Sequence, residues 1–294
     1  MSNPLDQKRA GGGKVPAWLM TLQSAGYLPY ISTSRRLLPF LDTSPFGEKA
    51  NIFLMENDEH GPFHEAYLLS NSLSFKSPDL KMPHWVLIDC ALMQTAIVGF
   101  MKACKDLPES LLSHYRNDPG IDLDRLDFIP VSGQISSPSV GGESFVGISL
   151  FSLAKSIPEG PSQLGLYTKA LALEVYRAAR QSHYYGIAQY NNPSLKIHGR
   201  FTPRLEIHQP MVPLHPGKDM TLIYKMTVDF DPHRLDEPPS EAGEPTFWLN
   251  ARDISGKNRM QAGIADGKRY VIMPPFSVKR SGEIFLPIKE EKAE

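Results

Sequence analysis

Phe145-Val146-Gly147-Ile148-Ser149-Leu150-Phe151-Ser152-Leu153 decides the fold, together with the run from Leu164 to Gln181 and with Tyr184-Tyr185-Gly186-Ile187-Ala188-Gln189-Tyr190. The first stretch is apolar at both alternating sets of positions, which suits a central strand. In the second, Lys169, Glu174, Arg177 and Arg180 fall within an arc of about 140° at ~100° per residue. Leu164, Leu171, Val175, Tyr176, Ala178 and Ala179 occupy the rest, so the spacing predicts an amphipathic helix docked on a sheet. The third reads as another strand. Asn191-Asn192-Pro193 then leads into a short helical turn over 194–201, with proline suited to the first helical position. This order predicts an α/β (α+β) fold, a mixed sheet flanked by helices. Strands 145–153 and 184–190 should be parallel neighbours, because a strand–helix–strand unit crosses back onto its own sheet.

Outward from this centre, 128–135, 205–208 and 220–226 read as strands and 107–115 as a helix. Between 18 and 41 a short helix and extended pieces are expected, broken by Pro29 and Pro39. Residues 65–75 read as a strand. From 91 to 104, Leu92, Ala96, Ile97, Phe100, Met101 and Cys104 recur at helical spacing. The domain reading is a flexible tail over 1–15, an N-terminal α/β region over 16–124 and a core over 125–227. An acidic proline-rich linker over 228–245 precedes a C-terminal β extension over 246–294, with short strands around Trp248, 270–273 and 284–288.

Composition narrows the function. Thirty-one basic residues against thirty-two acidic leave a formal charge of −1, which lends no support to nucleic-acid binding. Proline, at 26 of 294 residues, is close to twice its usual ~5% and speaks for strand ends and ordered loops. The most membrane-like stretch, 85–101, is interrupted by Asp89 and Gln94 and falls short of the ~20 apolar residues a span requires. The first fifteen residues carry no apolar signal region. Cys90 and Cys104 form no C-x-x-C pair. A cytoplasmic protein without membrane or nucleic-acid partners is expected.

The candidate chemistry lies in two places. Gly160-Pro161-Ser162-Gln163-Leu164-Gly165 opens the long helix, where unpaired N–H groups and the helix dipole suit a pyrophosphate. Further on stands Asn191-x-x-Ser194-x-x-Ile197-His198. Together these resemble the GNAT superfamily of acyl-CoA-dependent N-acyltransferases over roughly residues 125–227. Ser162 stands at the family's Gln/Arg place, Gly165 at its first glycine and Tyr167 at its second small residue. Asn191, Ser194 and Ile197 match their positions, and His198 stands at the family's tyrosine.

The resemblance implies acetyl-CoA or another acyl-CoA as co-substrate, and a small-molecule or peptide amine as acceptor. It makes Ser162, Leu164, Gly165, Leu166, Asn191 and Ser194 the cofactor-binding candidates. It also implies parallel strands that splay apart at one end. Imidazole titrates near neutrality and is able to protonate the departing thiolate, which makes His198 the candidate acid, with Tyr190 or Tyr185 as substitutes. Glu143 is the candidate base. Residues 1–124 exceed the family's usual lead-in and have room for a subdomain, a lid or a homodimer surface.

Two rival readings stand beside this one: a GNAT-like binding or structural protein without catalysis, and a cysteine-dependent hydrolase using Cys90 at a strand-to-helix junction. His60, His64 and Glu65 show metal-like spacing, but Gly61-Pro62 should prevent the helix that would align the imidazoles, and no metal is expected.

Overall fold

The computed structural model describes residues 15–41, 43, 51–75, 81–92, 95–138, 144–177, 183–213, 215, 217–227, 231, 233, 235–237 and 243–292. In chain order the elements are α1 (Ala17–Ser24), β1 (Leu28–Thr33), β2 (Asn51–Leu54), α2 (Gly61–Ser74), α3 (Trp85–Leu92), β3 (Ala96–Ala103), α4 (Glu109–Arg116), β4 (Phe128–Pro138) and β5 (Ser144–Ser152). There follow α5 (Leu164–Arg177), β6 (His183–Gln189), α6 (Ser194–His198), β7 (Leu205–Gln209), β8 (Thr221–Thr227), β9 (Phe247–Asn250), α7 (Ile254–Ala265), β10 (Lys268–Ile272), β11 (Val278–Arg280) and β12 (Glu283–Lys292). The chain forms two compact units, residues 1–135 with 150–179 and residues 136–149 with 180–294.

In the first unit β1 pairs parallel with β2 and antiparallel with β3. β3 is buried from Ala96 to Met101, and α5 packs on it. The helical spacing read over 91–104 is therefore corrected: residues 96–103 form a strand. A six-residue run that is apolar at every position satisfies both periods, and covering on both faces selects the strand. Gly99 passes so close to β4 that a Cβ would lie 2.1 Å from the Ser132 carbonyl oxygen.

The strand expected over 65–75 is α2 instead. Pro62 occupies its first turn, where a missing N–H costs nothing. Its serines bond back into the helix, Ser70 Oγ donating to the Ala66 carbonyl at 2.8 Å and Ser74 Oγ to that of Ser70 at 3.0 Å. Phe63, Ala66, Tyr67 and Leu68 supply its buried side. The helix predicted over 164–181 is present as α5 (Leu164–Arg177), but of the expected polar arc Lys169 and Glu174 are not exposed, while the side chains of Arg177 and Arg180 lie outside the described residues. Lys169 is fully buried along with Thr168, Ala170, Leu171, Ala172 and Leu173, so between Leu164 and Val175 the helix is covered all round.

In the second unit β5 and β6 are parallel, β6 pairs antiparallel with β8 along its whole length, and β8 pairs with β7. The sheet continues through β10 and β12, with β9 and β11 both paired to β12. The C-terminal strands thus share the sheet of β7 and β8. Between β9 and β10 lies α7, absent from the sequence reading. Asp253 caps it by accepting from the Gly256 N–H at 2.8 Å, and Gly267 leaves it at φ 81, the left-handed exit that favours glycine. Ser281 and Gly282, at φ 50 and 86, form the two-residue turn that joins β11 to β12.

Candidate functional site

The first turn of α5 carries the cofactor candidates of the first unit. The Leu164 N–H donates to the Pro161 carbonyl at 2.9 Å, and that of Tyr167 to Gln163 at 3.1 Å. Among the described residues, the N–H groups of Gly165 and Leu166 between them meet no backbone carbonyl acceptor. Ser162 and Gln163 are exposed, Gly165 is half-buried, and Leu164 and Leu166 are buried. Gly160 serves the turn itself. A Cβ there would lie 2.8 Å from the Ala154 carbonyl and 2.9 Å from that of Ile157. Tyr167 stacks on Trp18 of α1, with centroids 5.3 Å apart and planes 12° from parallel.

The second unit holds the other candidate feature. β5 and β6 are in register over Ser144–Gly147 and His183–Gly186. Both strands continue, yet their shared ladder ends at the glycine pair, as the expected splay requires. Each glycine has a tyrosine laid across it. A Cβ on Gly147 would stand 1.5 Å from Tyr184 Oη, and one on Gly186 2.0 Å from Tyr224 Oη. Both tyrosines are buried, and burial raises both phenol pKa values. Ser136 hydrogen-bonds the Tyr184 side chain.

His198 ends α6 and is buried. Its ring lies 4.9 Å from that of Tyr224, tilted by 35°, so the imidazole shares the tyrosine that covers Gly186. The turn behind it is tight, since a Cβ on Gly199 would meet the Phe276 ring at 2.1 Å. Asn191 is exposed and Ser194 half-buried. Asn192 supplies the turn, its Oδ1 accepting from the Ser194 N–H at 2.8 Å. Tyr190 is fully engaged. Its N–H donates to Met220 O at 2.6 Å and its hydroxyl to Pro210 O at 2.9 Å. The Lys257 Nζ stands 4.5 Å from its ring centroid. Burial raises its pKa. Glu143 lies outside the described residues, as do 1–14, most of the expected tail, and parts of the 228–245 linker.

Other sequence candidates have different surroundings. Cys90 lies well inside α3 rather than at a strand-to-helix junction. Burial pushes its thiol up to about 11, which leaves the thiol protonated and a poor nucleophile. His64 is on α2 after all, since Pro62 starts that helix rather than preventing it. Its Nε2 is 2.6 Å from Ser32 Oγ, and burial, with the charge of His60, pushes the ring down to about 4. His60 packs against Phe53. The described residues contain no group of metal-ligating side chains, and none of their helices is long and apolar enough to cross a membrane. Lys257 was missed by sequence reasoning. It is fully buried, donates to the carbonyls of Asp219 and Ala251, and has its pKa lowered mainly by burial.

The strand order defines a mixed α/β protein, and two solved acetyltransferase structures are similar to parts of it. No family model and no curated protein matches the sequence. Nourseothricin acetyltransferase is similar over 46% of this chain, at 14% identity and a TM-score of 0.29. This chain spans 65% of that protein's length, a little under two thirds. A GNAT-family protein from Desulfovibrio desulfuricans is similar over 56% of this chain and 94% of its own, at 12% identity and a TM-score of 0.37.

Proposed function

We propose that the protein is a cytoplasmic acyl-CoA-dependent N-acyltransferase. The observation that carries this reading is the end of the β5–β6 ladder at Gly147 and Gly186 while both strands run on. Strands that part inside a sheet leave backbone N–H and C=O groups without their expected partners, and an extended thioester arm is the ligand that replaces a missing strand. The N–H groups of β5 beyond Gly147 would polarise the thioester carbonyl. The acceptor nitrogen attacks that carbon, the C–S bond breaks, and the thiolate takes a proton from His198. The amine proton leaves to a base, for which Glu143 is the candidate. In the first unit, taken by itself, the N–H groups of Gly165 and Leu166 at the positive end of α5 suit a pyrophosphate. Asn191 and Ser194 are the cofactor-binding candidates beside α6, and Asn192 holds the turn there through the Ser194 N–H. Tyr190 has no place in this scheme, because its hydroxyl is already committed to Pro210.

One observation favours a second reading, a GNAT-like protein that binds but does not turn over. The Tyr167–Trp18 stack fills a place that the family keeps small. One measurement tests the α5 loop, and a second separates the readings. Acyl-CoA affinity by calorimetry should fall at least tenfold in Gly165→Asp with little change in thermal stability, since the carboxylate repels the anion. Release of free CoA thiol with a panel of amines should accompany binding if transfer occurs. Unchanged affinity in the variant would reduce the α5 loop to a turn.

A further inference from the structure

Where β5 and β6 part, the two faces of the sheet are unlike. On one, Tyr184 and Tyr224 lie across the glycines so closely that neither position has room for a methyl group. Phe145, Ala188 and Leu222 are buried on the same side. On the other, the next residues along, Ile148 and Ile187, are 49% and 36% exposed. Val146 and Tyr185 behind them are half-buried. Side chains alternate along a strand, and Gly147 faces Gly186 in register. Ile148 and Ile187 therefore project from the same open face, one on each lip of the opening.

A single exposed isoleucine requires no explanation. Two of them flanking the one place where the ladder stops are different, because a ligand entering there meets both. With the tyrosine face closed, a group attached to a thioester in the opening has only the isoleucine face to extend onto. Building on the acyl-CoA reading, we propose that Ile148 and Ile187 seat the alkyl part of the acyl group. The preferred donor then carries a chain longer than acetyl, since a methyl group reaches little of either side chain and a longer chain lies along both. Full burial of a methylene raises affinity about fourfold, and cover from one side roughly twofold. Four added methylenes thus amount to about fifteenfold.

The test is calorimetric titration of the full chain with acetyl-CoA, butyryl-CoA and hexanoyl-CoA. The double variant Ile148→Thr, Ile187→Thr keeps β-branched residues at exposed strand positions, and Ile254→Thr on α7 is the control. Affinity should rise roughly fifteenfold from acetyl to hexanoyl in the parent and the control, and less than about twofold in the double variant. A flat series in the parent, or an undiminished rise in the double variant, overturns the seat while leaving the acyl-CoA reading in place. Binding of none of the three by the parent overturns both.

Discussion

His198 is held between the end of a short helix and the Tyr224 ring, a setting that restrains an imidazole more tightly than a solvent-exposed turn would. If it protonates the leaving thiolate, His198→Ala should lower CoA release by about 10²–10⁴-fold at nearly unchanged acyl-CoA affinity. His198→Tyr should recover part of the rate. Full activity in the alanine variant would remove His198 from the mechanism. His64 has a different consequence, on stability. Its folded pKa, about 4 against an ordinary 6.5, means that the native state binds its proton more weakly than the unfolded chain does. The contribution is complete above about pH 6.5 and declines as pH falls from there toward 4, by about 3 kcal/mol in all. Urea unfolding across that window should show the slope, and His64→Phe should flatten it. An identical slope in the variant would assign it to other groups.

Among the elements, α7 is joined to the strands around it by one buried ammonium group. Lys257 gathers the carbonyls of Asp219 and Ala251 beneath the Tyr190 ring. Lys257→Met keeps the length of the side chain and strands both acceptors, so it should cost about 2–4 kcal/mol by denaturant unfolding. Loss of less than half a unit of that scale would show that water replaces the ammonium. The same helix marks what a single sequence conceals. Asp253 three residues before Gly256, at the head of Ile254–Ala265, is an ordinary N-cap signal, but a polar helix with few apolar positions produces no periodic stripe. β3 was hidden for the opposite reason: Ala96 to Met101 is apolar throughout, and only Ile97 and Val98 hint at a strand. In α2 the serines and Asn71 lower helix propensity, and the bonds of Ser70 and Ser74 to the preceding turn are visible only once the fold exists. By contrast β5, α5, β6 and α6 were readable because their patterns are long and separated by Gly and Pro. The glycines that end the β5–β6 ladder were visible as residues, but the tyrosines across them depend on register.

For the whole chain, the pairing of the residues beyond 243 with β7 bears on how the protein is cut. β10 pairs with β7 through Val271–Glu206 and Ile272–Leu205, and Leu249, Met260, Tyr270, Leu286 and Ile288 are buried. A chain ending at Gly243 loses those side chains, each worth on the order of 1.5–3 kcal/mol when fully buried, and exposes an edge of β7. Such a truncation should lose its cooperative urea transition and bind a hydrophobic dye. A transition at the parent's midpoint would show that residues 1–243 fold without the remainder.

The glycine–tyrosine crossings at 147–184 and 186–224 also constrain how the sequence is able to drift. A side chain gained at Gly147 is intolerable while Tyr184 stands over it, and with Tyr184 gone the glycine loses its reason to persist. Substitutions at the two sites therefore arise as ordered pairs, tyrosine first, and a relative carrying alanine or serine at the position of Gly147 will already have a small residue at that of Tyr184. The same rule links Gly186 to Tyr224, so the place where the strands part is inherited as a block.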